Sequence, residues 1–527
     1  MKNMKTKKAF ACLFSAITLA VTALTGCGTE NEIKSNAPDY SKSQKEYTIW
    51  SFGGTCDDWY QVAGQKYYFE DGTRQTPERT KLYADGGFNV LFIDWTFTYG
   101  GASKNDFLKS STKLVMDRAH EQGLKCVVFV GKLHALSSSH TSLIVGEGKG
   151  DGKNTFDSQE ALNLYVANAL AGVMEHPAFY GVSLIDEPYY TQFDAMSEIY
   201  KAVQAVAPGT WCNMNLNPMS YDPRAVMRYT EGANKKYGQY VLPDNTLAKN
   251  YPKPSVEEVR VYYTQYLEDY YEKLGKYCRY VQYDSYPLLN AKSNDFDYSV
   301  LKEHMNNAQL VAEFCKKTGM EFGHVYQTQS GYSRRATTKT DMYWQTNVGM
   351  AFGVKNHSYY TYYPTVNSSE LPDETAHIVN RIGDPNERYY WLKDIHQEMQ
   401  FNAKALMNFE YTASTYRLNG EYEWNDEYMT RLTQYALTDV REITVEGDGA
   451  VLVTEQYDKA NQQRGYYVMN ATDPLYLTEM KVTLYIDGFD MVQVYNGKKV
   501  VEREVKNGKI SFYLPTGQGI FVMPYNN

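Results

Sequence analysis

Cysteine and histidine are scarce in this chain, and neither forms a metal or redox pattern. The 527 residues include seven cysteines and nine histidines. No Cys-x-x-Cys pair and no His-Glu-x-x-His spacing occurs, so we expect no metal site and no cofactor. Five cysteines lie beyond the N-terminal segment, and we predict that they are small buried apolar residues rather than a disulfide framework. They are Cys56, Cys126, Cys212, Cys278 and Cys315.

Positive charge is also in short supply. The chain has 53 Lys and Arg against 62 Asp and Glu, giving a net charge of −9 and an isoelectric point near 5.6. No long basic run occurs, so nucleic acid and anionic lipid surfaces are not expected partners of the folded part. After the first 24 residues, no apolar run approaches the roughly 20 residues that a membrane-spanning helix needs.

The N-terminus has the features of an export signal. Four lysines within the first eight residues precede an apolar run over 9–24, which is typical of a signal peptide. The run ends in Leu24-Thr25-Gly26-Cys27, which resembles the lipobox of bacterial lipoproteins. That resemblance implies cleavage after residue 26, lipidation of Cys27 and an extracytoplasmic protein tethered to the cell membrane. An ordinary secretory signal or an uncleaved anchor is the alternative. Residues 27–45 are polar and aperiodic, and we predict a flexible linker.

Aromatic residues, by contrast, are abundant, with 49 Tyr, 21 Phe and 7 Trp. A tyrosine ring offers an apolar face and a hydroxyl group, so tyrosines can stack on sugar rings and hydrogen-bond sugar hydroxyls. The same residues also fill protein cores, and composition alone does not separate the two roles.

Apolar strand-like segments alternate with amphipathic helices about eight times between residues 46 and 409. This rhythm predicts a (β/α)8 TIM barrel. A doubly wound open sheet is the alternative, but no Gly-x-Gly-x-x-Gly turn follows the first predicted strand. The predicted strands cover 47–52, 88–95, 125–130, 179–186, 210–215, 280–284, 321–327 and 357–362.

The pattern changes after residue 409. Short alternating segments at 450–454, 464–469, 481–485 and 510–514 are separated by turn pairs such as Asn507-Gly508. We therefore predict that residues 410–527 form a second domain, an antiparallel β-sandwich.

The fourth predicted strand ends abruptly in Asp186-Glu187-Pro188. Proline cannot continue a strand ladder, so the two acids are placed at the carboxyl end of the strand, where α/β barrels keep their chemistry. Adjacent acids repel each other and lose solvation there, which is tolerated mainly for function. The alternative is that they cap the next helix.

Residues at the other strand ends are acids, amides and aromatics, with few cations and no Ser–His pair. This set suits glycoside hydrolysis, in which one carboxylic acid protonates the leaving oxygen and a second carboxylate attacks or activates water. Phosphate chemistry would need cations or a glycine-rich cradle. The predicted strand-end residues are Trp50, Phe52, Asp94, Trp95, Lys132, Asp186, Glu187, Asn215, Asn217, Asp284, Tyr286, Gln327, Gln329 and Tyr362.

Asp186-Glu187-Pro188 resembles the Asn-Glu-Pro element of the large barrel clan of retaining glycoside hydrolases, which includes β-galactosidase-like and cellulase-like families. The resemblance implies that Glu187 is the general acid/base. Asp186 replaces an asparagine that contacts the 2-hydroxyl of the sugar in that clan. The clan's nucleophile is a glutamate at the end of the seventh strand, where this chain has Gln327 and Gln329.

Either the second carboxylate comes from another strand or the site is not hydrolytic. Asp284 at the end of the sixth strand is the first candidate and Asp94 at the second strand is the next. Asp284 could instead accept a sugar hydroxyl or cap a helix.

The region 327–363 resembles the seventh- and eighth-strand region of uncharacterised barrel hydrolase-like bacterial proteins. The matching residues are Gln327, Arg334, Arg335, Trp344, Gln345, Gly353, Lys355, Tyr359 and Tyr360. Trp95, Trp344 and the aromatic run 359–363, which includes Tyr362, could stack on sugar rings or belong to the core. The two arginines could clamp an acidic sugar or lie in a solvated loop.

These observations predict a surface-anchored glycoside hydrolase acting on an oligo- or polysaccharide. Glu187 and Asp284 are its predicted catalytic residues. A catalytically silent barrel that binds glycans at the cell surface is the alternative, which the missing seventh-strand glutamate favours. The predicted substrate contacts are Asp94, Trp95, Asp186, Asn215, Tyr286, Gln327, Gln329, Trp344 and Tyr362.

Overall fold

The computed structural model describes residues 37–54, 59–62, 65–68, 73–93, 103–146, 155–219, 226, 254–289, 296–330, 334–364, 377–420 and 429–527. Within these ranges, no helix has the length and apolar character required to cross a bilayer.

The described residues between 48 and 360 include ten strands, and eight of these form a parallel barrel. The other two, β2 and β3, pair as an antiparallel hairpin between the first and second barrel strands, a hairpin that the sequence analysis did not predict. The strands are β1 (Thr48–Ser51), β2 (Trp59–Val62), β3 (Gln65–Tyr68), β4 (Val90–Ile93), β5 (Lys125–Phe129), β6 (Phe179–Asp186), β7 (Trp211–Asn215), β8 (Tyr280–Asp284), β9 (Glu321–Gln327) and β10 (Val354–Tyr360).

The barrel strands form two parallel ladders, in the orders β4-β5-β6-β7 and β1-β10-β9-β8. Backbone hydrogen bonds join the ladders at both edges. Asn89 N–H donates to the Ile49 carbonyl at 2.9 Å on one side, and Leu216 N–H donates to the Gln282 carbonyl at 2.8 Å on the other. The circle of strands is therefore closed, and the predicted TIM barrel is confirmed.

Helices follow the barrel strands and cover their outer faces. Side-chain caps define several helix starts; Thr338, for example, caps the ninth helix in a reciprocal pair with Asp341. The helices are α1 (Pro77–Asp85), α2 (Lys104–Leu108), α3 (Ser111–Glu121), α4 (Gly131–Ser138), α5 (Gln159–Ala169), α6 (Phe193–Val206), α7 (Val256–Leu274), α8 (Phe296–Thr318), α9 (Lys339–Ala351) and α10 (Glu387–Leu406).

The inside of the barrel is filled by large rings and amides. Trp50 packs on Phe92 and Trp211, at ring-centroid distances of 5.0 and 6.2 Å. Its indole N–H donates to the side chain of Asn356, which in turn donates to that of Gln282 at 2.6 Å. Because strand side chains alternate, the next inward residues along these strands line the mouth at the carboxyl ends.

Nine further strands form the C-terminal β-sandwich, which confirms the predicted antiparallel architecture. A six-stranded sheet in the order β11-β13-β14-β19-β16-β17 faces a three-stranded sheet, β12-β15-β18. The strands are β11 (Glu410–Asn419), β12 (Val440–Glu446), β13 (Gly449–Asp458), β14 (Gln463–Asn470), β15 (Glu479–Ile486), β16 (Met491–Tyr495), β17 (Val500–Glu504), β18 (Lys509–Pro515) and β19 (Gly519–Tyr525).

The outer face of the larger sheet packs on the barrel at α9. The Thr454 hydroxyl and the Gln456 amide both donate to the Ala351 carbonyl, and the Tyr467 hydroxyl donates to Asn347. These buried polar contacts tie the sandwich to a barrel helix rather than to the mouth of the barrel.

Candidate active site

The chain makes a constrained turn where β6 ends. Glu187 has a positive φ of 47°, a conformation that is strained for a residue with a side chain and is found mostly where surrounding contacts impose it. Those contacts are present, because Glu187 N–H donates to the Asn215 carbonyl at 3.0 Å and the Asn217 side chain donates to the Glu187 carbonyl at 2.9 Å. The turn is held from the end of β7.

Two tyrosines of α7 support the same turn from outside. The Tyr266 hydroxyl donates to the Pro188 carbonyl at 2.7 Å, and the Tyr263 hydroxyl donates to the Asn217 carbonyl at 2.8 Å. Both rings are fully buried. Tyrosine hydroxyls of α7 therefore help to hold Glu187 in position. Part of the tyrosine enrichment contributes to the site in this indirect way.

Three carboxyl groups meet at the ends of β6 and β8. The Asn215 side-chain nitrogen donates to Asp186 Oδ1 at 3.0 Å and to Asp284 Oδ1 at 3.1 Å. The charge of Asp284 acts strongly on the Glu187 carboxyl. Asp284 is 7% exposed, whereas Asp186 and Glu187 are exposed to solvent. Asp284 is thus the most buried of the three acids.

Electrostatics favour the protonated form of Glu187. The charge of Asp284, followed by desolvation and the charge of Asp186, raises the pKa of Glu187 well above its usual value, and Arg334 opposes this only in part. Desolvation by the surrounding protein and the charge of Asp284 raise the pKa of Asp186 to about 6. Neighbouring carboxyl groups repel each other when both are ionised, so a proton on one of them is favoured.

Asp284 has the partners that favour the ionised form. Desolvation raises the pKa of Asp284 above its usual value, although the Asn215 amide, the Tyr286 hydroxyl and the Arg334 cation act to lower it. For Glu187, Arg334 is the smallest of the influences and opposes the others. Their surroundings therefore favour a proton on Glu187 and a negative charge on Asp284.

Aromatic rings and one cation complete the wall beside Asp284. The Arg334 guanidinium lies over the Tyr286 ring at 4.6 Å, and Tyr286 and Tyr360 have ring centroids 5.6 Å apart. Phe52 approaches Tyr360 at 6.3 Å. All four side chains are partly exposed. Tyr286 and Phe52 are among the predicted strand-end residues, Tyr360 belongs to the aromatic run considered for sugar stacking, and Arg334 is one of the two arginines considered as a clamp.

The sequence contains a signal for Tyr360. Asn356 points into the barrel, and counting two residues at a time along β10 places Ser358 and Tyr360 on the same side. The predicted strand end at Tyr362 was wrong because β10 ends at Tyr360. No comparable signal exists for Arg334, since it lies beyond its strand and its position depends on how the loop folds.

The structure brings Asp186, Glu187, Asn215, Asp284 and Tyr286 together at one site. Two other predicted sugar contacts, Gln327 and Gln329, are buried and are not part of this site. Gln327 is fully buried, and its amide bonds to the backbone of Leu288, Gln329 and Arg335. Gln329 is 2% exposed, and its backbone N–H donates to the Tyr360 carbonyl.

Trp344 and Tyr362 are packing residues and not sugar platforms, which corrects the prediction for both. Trp344 is fully buried on α9, where its indole N–H donates to the Ala471 carbonyl of the sandwich at 3.1 Å. Tyr362 is 1% exposed and packs against Tyr83 and Phe88, behind the barrel wall.

Three predicted residues, Cys27, Asp94 and Trp95, lie outside the described residues.

Of the two arginines considered as a clamp for an acidic sugar, Arg335 does not have that role. Arg335 forms a two-point ion pair with the buried Asp341, with both N–O distances at 2.5 Å, so it secures the start of α9. In the ranges that the structure describes, no His, Cys, Asp and Glu side chains are grouped as a metal-binding set would be.

No family model and no curated protein matches the sequence. Solved structures that it resembles include α-galactosidase I from Mortierella vinacea, at 9% identity and a TM-score of 0.45, covering 93% of this chain and 99% of that one. A glycoside hydrolase family 5 protein from Bacteroides vulgatus has 8% identity, a TM-score of 0.45 and coverage of 91% and 89%. An α-L-fucosidase isoenzyme 2 from Paenibacillus thiaminolyticus has 10% identity, a TM-score of 0.41 and coverage of 86% and 96%.

The (β/α)8 barrel of this chain is established by its own strand order and closure. At such identities the likeness assigns neither a substrate nor a catalytic residue.

Proposed function

We propose that this protein is a glycoside hydrolase anchored at the cell surface, with Glu187 as general acid/base and Asp284 as nucleophile. The observation that carries the proposal is the gathering of three carboxyl groups in unlike surroundings at the ends of β6 and β8. The charge of Asp284 raises the pKa of Glu187, while Asp284 accepts a hydrogen bond from Asn215 and is influenced by the Tyr286 hydroxyl and the Arg334 cation. One carboxylic acid beside one carboxylate is the pair that glycoside hydrolysis needs.

We infer a retaining mechanism from the closeness of the three carboxyl groups. Asp186 and Asp284 bind the same Asn215 nitrogen, and the charge of Asp284 is the largest influence on the pKa of Glu187. Retaining enzymes hold their two carboxyl groups about 5–5.5 Å apart, whereas inverting enzymes leave about 6.5–9.5 Å for a water molecule. A closely spaced set of acids is the arrangement expected of the retaining class.

The chemistry then follows in two steps. Glu187 gives its proton to the glycosidic oxygen while an Asp284 oxygen bonds to the anomeric carbon, and the carbon–oxygen bond to the leaving group breaks. In the second step Glu187, now a carboxylate, takes a proton from water as the water oxygen displaces Asp284. The Asp186 carboxyl and the unpaired Asn215 Oδ1 accept hydrogen bonds from sugar hydroxyls, and Tyr360 supplies a ring face.

Charge limits the class of substrate. The described part of the site has three carboxyl groups against the single cation of Arg334, and Arg335 is committed to Asp341. A negatively charged sugar would be repelled. We therefore expect neutral sugars to be bound in preference to uronic acids or sulfated sugars.

The test is hydrolysis of a panel of neutral and acidic glycans by the chain from residue 28 to residue 527. We expect reducing sugar from a neutral substrate, a loss of about 10³-fold in Glu187→Gln, and no loss in the exposed control Glu257→Gln on α7. NMR of the first-formed product should show the anomeric configuration of the substrate.

Two results would contradict the proposal. Release of the opposite anomer would remove Asp284 from the role of nucleophile. Binding of glycans by both the wild type and Glu187→Gln, without release of sugar by either, would establish the glycan-binding alternative instead. The anchor is tested separately, because Cys27→Ala should move the full-length protein out of the membrane fraction.

A further inference from the structure

Gln327 occupies the strand end where the resembling clan carries its nucleophile, yet its side chain is fully buried and bonded to backbone groups. Its Oε1 accepts from Leu288 N–H at 3.0 Å, and its Nε2 donates to the Leu288 carbonyl at 3.2 Å. The same Nε2 lies 3.2 Å from the Gln329 carbonyl and 3.4 Å from the Arg335 carbonyl. The amide therefore pairs with Leu288 as a neighbouring strand would, and also binds the loop after β9.

Two loops are joined by this amide. The loop after β8 carries Tyr286, and the loop after β9 carries Arg334. Leu289 and Arg334 form an antiparallel bridge, and Arg335 N–H donates to the Leu288 carbonyl at 2.9 Å. The Gln327 side chain hydrogen-bonds the Leu288 N–H and the Arg335 carbonyl, two backbone groups that this short ladder leaves unpaired.

The ladder fixes the stack of Arg334 on Tyr286. With the guanidinium 4.6 Å from the ring centroid, the cation and the Tyr286 hydroxyl both act on Asp284. The other titratable groups facing this pair are Asp186, Glu187 and Tyr360. Among the described groups of this cluster, Arg334 is the only cation. The position of its guanidinium therefore affects which of the acids is ionised.

We propose that Gln327 is a positioning residue that holds Tyr286 and Arg334 against Asp284. This inference rests on the proposed function. It also explains why a glutamine suits the seventh strand of this barrel. A glutamate carboxylate would point an acceptor at three carbonyl oxygens, where the structure needs a donor.

The experiment compares pH–rate profiles of kcat/KM for four variants. Arg334→Met removes the cation, and Tyr286→Phe removes a hydrogen bond to Asp284. Gln327→Met removes the clamp while keeping side-chain length and burial. Gln309→Met is the matched control, because Gln309 is equally buried and its amide also bonds to backbone, at Thr433, but on α8 away from the cleft.

The acidic limb of the profile reports ionisation of the nucleophile. Loss of a cation or of a hydrogen bond to the ionised form raises the pKa of a carboxyl group, by about 1–3 units for a close cation. We expect the acidic limb to move to higher pH in Arg334→Met and Tyr286→Phe, and to move in the same direction in Gln327→Met. Gln309→Met should lower the melting temperature without moving the limb.

A double variant tests whether Gln327 acts through Arg334. Gln327→Met in the Arg334→Met background should add little further shift, since the cation is already absent. A Gln327→Met profile with an unmoved acidic limb, together with a lowered melting temperature, would overturn the inference and leave Gln327 as a structural residue only.

The inference can be tested apart from activity. In protein labelled with ¹³C at the aspartate and glutamate carboxyls, the Asp284 signal, assigned by its loss in Asp284→Asn, should titrate at higher pH in Gln327→Met than in the wild type. Identical titration in both would contradict the positioning role. Absence of hydrolysis on every glycan would contradict the proposed function and leave this measurement able to decide the inference.

Discussion

Two neighbouring strands of the barrel, β8 and β9, end in polar side chains that behave in opposite ways. The Asp284 carboxyl at the end of β8 interacts with other side chains: it accepts a hydrogen bond from Asn215 and acts on Glu187. Gln327 at the end of β9 gives its amide to backbone groups of two loops. Both are buried and both lie at the functional end of the barrel. Position at a strand end therefore does not define a substrate contact; the partners of the side chain do.

The largest effect is expected for Asp284→Asn, which tests whether the strand-end side chain of β8 is the functional one. Activity should fall by about 10³-fold, because an amide neither attacks the anomeric carbon nor holds the charge opposite Glu187. Melting temperature at pH 8 should rise instead of fall, because the charge of Asp284 repels Glu187 and Asp186. Activity and thermal unfolding of the variant and wild type give both answers.

The stability gain should depend on pH in a defined direction. Asp186 and Glu187 have pKa values above those of the unfolded chain, so the stability they contribute is complete below about pH 4 and is lost as pH rises through their folded pKa values. For Asp186 that value is about 6. The melting-temperature difference between Asp284→Asn and wild type should therefore widen from pH 4 to pH 8. A wild type more stable than the variant at pH 8 would refute the repulsion.

Sequence patterns predict this fold because they reflect local physics. Apolar strands such as Val182 to Ile185, helix caps and closing glycines recur with the barrel period, and the alternation in the last 118 residues marks the sandwich. The same patterns place Glu187 and Asp284 at strand ends on one face. Those inferences require only the direction of each strand.

The parts that the sequence did not predict depend on contacts between distant segments. Trp344 is buried because the sandwich packs on α9, which nothing in its own helix indicates. Gln327 is removed from the cleft by loops around Leu288 and Arg335. Arg334 gains its role from the ring of Tyr286. The sharing of charge among three acids likewise follows from distances and not from residue order.

An intermediate effect is expected for Tyr360→Ala, which tests the aromatic wall beside the acids. Tyr360 is partly exposed and its ring lies 5.6 Å from that of Tyr286. Loss of one stacking ring weakens binding by about 0.5–1.5 kcal/mol, so KM should rise by up to about tenfold. Steady-state kinetics on a hydrolysed neutral glycan measure this. A fall in kcat at constant KM would instead place Tyr360 in the chemical step.

The smallest effect is expected for Tyr362→Phe, the natural counterpart of Tyr360→Ala. The two tyrosines are two residues apart, but Tyr362 packs behind the barrel wall and its buried hydroxyl has no hydrogen-bond partner. Removing this hydroxyl breaks no hydrogen bond. The free energy of unfolding should therefore change by less than about 0.5 kcal/mol or increase slightly. KM and kcat should stay at wild-type values. A raised KM would mean that the Tyr362 hydroxyl reaches the substrate and that the cleft extends through the wall now assigned to packing.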